Sequence, residues 1–429
     1  MKKTLILGLF PIFLLSFVSK WHIDAGIRIP YYHIITAAWF ILTLPFLYRK
    51  RIIIPPGIQI LIFLKFVHLV CIAASFLLII DSGDPIDQLQ FAKGIVWAGI
   101  DAAFIITILL FLTQLNRPER SKVILLFLWA VAGHIAFLLT EAASIYLFDI
   151  DVDILISTSL PFWPGQPITM TEDMFYLSSL GTIYRLSGFT SDPNVAGVSL
   201  ALALPVIFVS YYQHPRTSLV ALALLSLICI LATVSNTAIP IAGILLIMLS
   251  FRFWRGRKLL ATSIALILVI GGGLAAWKQT PALIETMAFK LAEDGSASSH
   301  MQIAKDAWGI WLQHPLGVGF NNFAQHSAHV STHNSYIQAL VELGIPGICS
   351  ALAWVVGSLL LSLRSRNTIG KAAMLVVGAL AIAANGHDLL FRFEFQLIAH
   401  LLVAMAVVDR WQESRTTQHN KSCGSEALA

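Results

Sequence analysis

The feature that most constrains this chain is a succession of apolar runs, each long enough to cross a hydrocarbon layer as a helix and seldom broken by a charge. Hydropathy places them at 4–19, 31–48, 58–80, 94–115, 123–148, 194–212, 217–234, 236–251, 259–277, 335–363, 372–390 and 395–408. A helical crossing takes about 20 residues, so the expected fold class is all-α: a polytopic integral membrane protein with about twelve transmembrane helices. Of the 429 residues, 57% are hydrophobic and 12% charged, against about 45–50% and 25% in soluble domains. A soluble globular enzyme is excluded. The opening Met-Lys-Lys and its apolar stretch lack a small-residue cleavage site, so they read as a retained first helix.

Lys and Arg collect on the cytoplasmic side of membrane proteins. With a cytoplasmic N-terminus, nineteen of the 28 basic residues fall in inner segments, eight in the longer outer ones, and Lys65 within a span. Both termini are therefore expected in the cytoplasm. The chain divides into an N-terminal bundle of five spans (1–148), an extracytoplasmic loop (149–193), central spans (194–277), a large extracytoplasmic loop (278–334), C-terminal spans (335–408) and a cytoplasmic tail (409–429) that reads as disordered. The basic residues form no single patch, which argues against a nucleic-acid partner. Cys71, Cys229 and Cys349 lie in apolar runs and Cys423 in the tail, so no disulfide framework or zinc spacing exists.

Chemistry is to be sought in the two outer loops, because non-spanning backbone is kept mainly where it lines a site. The first candidate is Arg185-Leu-Ser-Gly-Phe-Thr-Ser-Asp-Pro-Asn194. Asp192 can cap the sixth span and Pro193 fits its first turn. Arg185 is thereby held near a helix N-terminus, where its planar fork suits a phosphate. An arginine meeting lipid headgroups is the plainer alternative. The second candidate runs from His300 to Phe320: Met301, Ala304, Trp308, Trp311 and Leu312 recur at helical spacing, as in a helix lying along the outer membrane surface. Pro315 stops it, and Gly317 and Gly319 allow close backbone approach to a ligand.

The third candidate, Thr332-His-Asn-Ser-Tyr to Gly347, is the most informative. Tyr336, Ile337, Leu340, Val341 and Leu343 make an apolar helix face, which Gly344 and Pro346 bound at the C-terminal end. His333 stands at the helix N-terminus, where the dipole disfavours imidazolium and suits a general base. With His326 and His329 it forms a run that could be read as a metal site, but no carboxylate completes a ligand set. Asp149, Asp151 and Asp153 read as solvated carboxylates where the fifth span ends. Within the spans, Lys65 and His68 share one helix face, and His134 and Glu141 share another. Such intramembrane ionisable groups raise a functional suspicion and are the best evidence for a transporter.

These residues resemble the O-antigen ligase and Wzy-type polymerase family. Three pieces match in order: Arg185 with Gly188 and Asp192-Pro193-Asn194; His314-Pro315-Leu316-Gly317-Val318-Gly319; and His333-Asn334 followed by Glu342, Gly344, Pro346 and Gly347. The resemblance covers about 194–363 and the preceding arginine, while the first five spans match only in hydropathy. It implies a glycosyltransferase of the bacterial inner membrane that moves a glycan from a polyprenyl diphosphate carrier to an acceptor hydroxyl, on lipid A core or a growing polysaccharide, at the outer face. Arg185 would hold the diphosphate and His333 would act as general base or orient the acceptor, with Asn334, His300, Asp192, Asn194, Gly317, Gly319 and Glu342 at the substrates. No cofactor or metal is demanded. Members commonly carry a second arginine where this chain has Ser298-Ser299-His300, and Ser-Arg where it has Ser235-Asn236-Thr237, so the missing cation falls to His300, Lys290 or Lys305. Ligase, polymerase and protein O-oligosaccharyltransferase share this chemistry. An exporter of polysaccharide or lipid carrier, the alternative from another class, would show paired halves with ionisable groups near the midplane.

Overall fold

The computed structural model describes residues 1–16, 22–24, 28–49, 52–80, 85–148, 175–178, 181–190, 192–252, 296–329, 331–386 and 389–426. In chain order the elements are α1 (Lys2–Leu7), α2 (Leu9–Ser16), β1 (His22–Asp24), β2 (Arg28–Pro30), α3 (Tyr31–Tyr48), α4 (Pro56–Ala74), α5 (Phe76–Ile80), α6 (Pro85–Thr113), α7 (Arg117–Phe148), β3 (Phe175–Ser178), β4 (Gly181–Tyr184), α8 (Pro193–Gln213), α9 (Thr217–Ala232), α10 (Ala238–Arg252), α11 (Ser296–Gln313), α12 (Phe323–His326), α13 (Ser335–Ser365), α14 (Thr368–Ala383) and α15 (Phe393–Glu426). Among the described residues, Pro56–Ile79, Phe91–Thr113, Arg117–Phe148, Pro193–Gln213 and Ser335–Ser365 are long and apolar enough to cross a membrane. The run at 259–277 lies outside the described residues, as do Asp149, Asp151, Asp153 and Lys290.

The centre of the bundle is α8, buried at every position from Val195 to Val209. A helix apolar on all sides must be surrounded by others, and α9, α10, α14 and α7 pack around it. Lipid offers apolar chains no reason to leave it, so helices associate through close packing of small residues. Gly197 is one: a Cβ there would lie 2.6 Å from Ala238 Cβ and 2.7 Å from Thr233 Oγ1. Outward, Ile41, Leu42, Phe63, Phe66, Trp129 and Leu147 are exposed, an apolar exterior suited to lipid.

Polar contacts define two ends. At one, Lys2 Nζ lies 2.6 Å from Glu119 Oε2, Arg120 Nε donates to Asp409 Oδ1 at 2.9 Å, and Asn367 Nδ2 donates to the Ala406 carbonyl at 3.1 Å. Glu141 stands 22 residues beyond Glu119 on α7, about 33 Å at 1.5 Å per residue. At Glu141's end lie the turns that carry the sequence motifs.

The fold is helical as expected, with two short antiparallel hairpins beside the helices: β1 pairs with β2 and β3 with β4, with Ile23 opposite Ile29 and Phe175 opposite Tyr184. These are short apolar-polar stretches outside the spans, rich in β-branched and aromatic residues that favour strands. Two expectations are corrected. The tail is not disordered, since α15 continues to Glu426. A helix already nucleated extends at little cost, and Arg120 holds its extension through Asp409 and, at 2.8 Å, Gln412 Oε1. Second, several runs are broken or shortened: 4–19 turns at Gly8, 58–80 turns at Ser75, and 372–390 gives a helix ending at Ala383.

Candidate active site

The turn that carries Arg185 is fixed by a carboxylate from within α7. Glu141, buried at 2% exposure, accepts from the Gly188 amide at 2.7 Å and from Ser187 Oγ at 3.4 Å. Gly188 adopts φ +57°, and a Cβ there would meet His134 Cε1 and Leu138 Cγ, both at 2.8 Å. Only glycine fits such a left-handed position pressed against a neighbour. Asp192 caps α8 as expected, its Oδ1 accepting from the Asn194 amide at 2.7 Å. Thr190 Oγ1 bonds to the Asp192 carbonyl at 2.7 Å. The intramembrane pair His134 and Glu141 is thus part of the Arg185 turn.

Arg185 is buried at 4% exposure and bridges two helix ends. Nη2 donates to Asn194 Oδ1 at 3.0 Å in the first turn of α8. Nε donates to the Thr233 carbonyl at 3.1 Å and Nη2 to that of Val234 at 3.4 Å. Those carbonyls lie just past the C-terminus of α9, where they lack intrahelical donors and carry negative partial charge. Arg185 therefore also serves as a C-terminal cap for α9, a role that residue spacing could not reveal. Val234 turns left-handed at φ +48°, and Ser235 Oγ accepts from the Ala238 amide at 3.0 Å to cap α10.

The second and third motifs dock on each other. Helix α13 is kinked at Gly344 (φ 64°, ψ −160°), with Pro346 two residues beyond. Proline has no N–H to give the Glu342 carbonyl, and the kink removes the donor for Val341. The loop supplies both: Val318 N donates to the Val341 carbonyl at 2.8 Å and Gly319 N to that of Glu342 at 2.9 Å. Gly317 (φ +98°) and Gly319 (φ +96°) make the approach possible, since a Cβ on Gly317 would stand 2.5 Å from the Glu342 carbonyl oxygen. The close backbone approach expected for a ligand is made to α13. As expected, the first helical run of α13 breaks at the positive φ of Gly344, and a second run follows it to Ser365.

At the start of α13, Asn334 is the cap: its Oδ1 accepts from the Tyr336 and Ile337 amides at 3.0 and 3.1 Å, and its Nδ2 donates to the Asn385 carbonyl at 3.2 Å. His333 precedes it in a left-handed conformation, φ +51°, which costs a non-glycine residue about 1–3 kcal/mol. Its amide donates to Ser331 Oγ at 3.1 Å, and its half-buried ring stacks on His300, with centroids 4.7 Å apart and planes at 9°. Helix α11 brings His300 there by packing Ile303, Ala307, Ile310 and Trp311 against Val318, Phe323, Ile337 and Val341. Met301, Trp308 and Leu312 face outward, whereas Trp311 turns inward, correcting the single apolar face expected. His326 lies against His314 and His329 against Asp306, so the three spaced histidines make separate contacts. Lys305 is exposed on α11.

These turns occupy one end of the bundle. The Arg185 turn holds 232–237; a Cβ on Gly386 would lie 3.1 Å from Thr237 Oγ1; and Asn385 receives the Asn334 side chain. Down the same face of α13, Gln338 Nε2 donates to Glu342 Oε1 at 3.1 Å, and both residues line a cavity of about 150 Å³ with Phe320, Asn321, Phe391 and Arg392. Sequence reading singled out Glu342 and missed the others. An asparagine pair after Gly-x-Gly-Phe and an arginine between two apolar runs were the available signals.

The chain has no match among curated proteins. A family model described as O-antigen ligase (Wzy_C) matches residues 221–352. That stretch holds most of α9, all of α10 and α11, the 314–319 loop, His333 and the kink of α13, and over it the chain is similar to the O-antigen ligase family, whose members transfer glycosyl groups.

Proposed function

We propose that this protein transfers a glycan from a polyprenyl diphosphate donor to an acceptor hydroxyl at the outer face of the inner membrane, as an O-antigen ligase. Polymerase and protein O-oligosaccharyltransferase reactions differ from this only in the acceptor. The observation that carries the reading is the gathering of all three motifs at one end of the bundle. The proposed topology has twelve crossings with both termini inside. The basic asymmetry supports it, and so do the contacts joining Lys2, Glu119, Arg120 and Asp409 at the opposite end.

In the proposed step the acceptor oxygen attacks the anomeric carbon, its proton passes to a ring nitrogen of His333, and the bond from that carbon to the phosphate oxygen breaks. The electron pair leaves with the diphosphate, and inversion follows from in-line displacement. Negative charge grows on the leaving group, and a cation already fixed in place stabilises it without reorganisation. Arg185 is such a cation: its bonds to Asn194 and the α9 carbonyls anchor the guanidinium beside the N-terminus of α8, whose dipole adds to it. The stack on His300 holds the His333 ring in one orientation, as a positioned base requires. No metal or cofactor enters this step. The test is transfer of lipid-linked glycan in membranes of a deletion strain carrying His333→Ala or Arg185→Ala. Undiminished transfer by His333→Ala would overturn the mechanism.

A further inference from the structure

The face of α13 that carries Gln338 and Glu342 leads into a larger cavity that the proposed step does not use. It has a volume of about 370 Å³ and shares His68, Phe320, Asn321 and Phe391 with the smaller one beside Glu342. Its size falls within the roughly 300–1,000 Å³ of small-molecule sites. Lys65, Lys93, Trp97, Asp101, Phe391 and Gln396 are among its walls.

Two properties of these walls specify a ligand. The first is charge. Lys65 is buried at 8% exposure and donates to the neutral amide oxygen of Gln396, while Lys93 reaches the same space from α6. Against these two ammonium groups the larger cavity sets one carboxylate, Asp101, whose Oδ1 already lies 3.1 Å from His33 Nε2. Asp101 is the opposite charge that acts on Lys65, which leaves the walls with one positive charge in excess, and an excess charge held partly out of water is matched to an anion. The second property is flatness. Trp97 and Phe391 offer aromatic faces, each braced by a stacked imidazole: His33 lies on Trp97 at 4.4 Å and His68 on Phe391 at 4.9 Å. Rigid aromatic faces receive the C–H face of a pyranose, and the amides of Asn321 and Gln396 suit its hydroxyls.

Resting on the transferase reading, we propose that this cavity is a subsite for a carboxylate-bearing sugar of the acceptor glycan. Lys65 and Lys93 pair with the carboxylate, and Trp97 and Phe391 hold the ring. The acceptor is indicated because the adjoining smaller cavity is lined by Gln338 of α13, five residues on from His333, whereas Arg185 is bonded to Thr233 and Val234 beyond α9.

The test uses the full-length protein in lipid nanodiscs, with methyl β-D-glucuronide, methyl β-D-glucoside and inorganic pyrophosphate as probes in ligand-observed saturation-transfer NMR. The glucuronide is expected to bind saturably and at least tenfold more tightly than the glucoside. Lys93→Met and Lys65→Met should each cost it tenfold or more, and Trp97→Leu should weaken both sugars. Should Lys65→Met fail to fold, Lys93→Met decides, since Lys93 is only half-buried. Equal binding of the two sugars, full retention by Lys93→Met, or displacement of the glucuronide by pyrophosphate at lower concentration than by glucoside would each overturn the subsite. His333→Ala keeps the two readings apart: loss of transfer with intact glucuronide binding supports both. Unimpaired transfer by that variant removes the mechanism while the Lys93 arm still judges the cavity.

Discussion

Replacing Gly317 with alanine tests whether the 314–319 loop really seats in the bend of α13. The new Cβ would stand 2.5 Å from the Glu342 carbonyl oxygen, 2.7 Å from its carbon and 2.8 Å from the Gly344 nitrogen. All three are backbone atoms, so no side-chain rotation relieves the clash. Alanine at φ +98° adds about 1–2 kcal/mol of conformational strain. If the loop lifts, the bonds from Val318 N to Val341 and from Gly319 N to Glu342 are lost, and each buried group left unpaired costs about 1–3 kcal/mol. Strain and the two bonds together make about 3–8 kcal/mol, a large single-site effect. Gly309→Ala is the control: it sits in α11 with nothing within 4 Å of a new Cβ, and alanine there should gain up to about 1 kcal/mol of helix propensity. The assay is thermal unfolding of detergent-purified protein followed by size-exclusion fluorescence, together with glycan transfer in membranes. Gly317→Ala should melt well below the parent and transfer poorly, while Gly309→Ala should match or exceed the parent in stability. Parental melting and transfer in Gly317→Ala would refute the docked loop.

Other outcomes follow from the same contacts. His333→Ala should lose about 10²–10⁴-fold in transfer, the usual worth of a general base, yet still bind lipid-linked donor in a filter assay. Arg185→Lys keeps the charge but loses the planar fork that spans Asn194 and Thr233, so both donor binding and thermal stability should fall, which separates it from His333→Ala. Glu141→Gln leaves the Gly188 amide an uncharged acceptor and should cost about 1 kcal/mol or more, visible as a lowered unfolding temperature with Arg185 intact. Reporter fusions after residues 170 and 310 should report the exported side and those after 254 and 415 the cytoplasm; a reversed pair would overturn the topology.

The membrane character was legible because hydropathy depends on local composition alone, and the α8 cap at Asp192 and the start of α13 beside His333 were legible because helix ends are a matter of neighbouring residues. Contacts between distant segments were not. Arg185 reads as an anion-binding residue from its own loop, but its bonds to Thr233 and Val234 depend on where α9 ends, 48 residues away. Gly344 and Pro346 were legible as a break, but the sequence could not show that the 314–319 loop would satisfy the carbonyls they strand. The helical extension of the tail rests on Arg120, 289 positions distant from Asp409.

One consequence of that docking concerns how the candidate base is held. A straight α13 would satisfy its own carbonyls and need no loop; the kink creates two unmet acceptors, and the 314–319 loop is held by meeting them. Because α11 ends directly into that loop, the same two bonds fix the far end of the helix whose first turns present His300. The stack on His333 is therefore tied to the bend at Gly344, eleven residues on from the imidazole (about 16 Å at 1.5 Å per residue). Glu342 lies between them with its side chain toward the cavity. An acceptor seated against Glu342 would thus touch the one helix that carries both the base and the docking site of the loop, so its binding would bear on the orientation of His333 without any direct contact to His300.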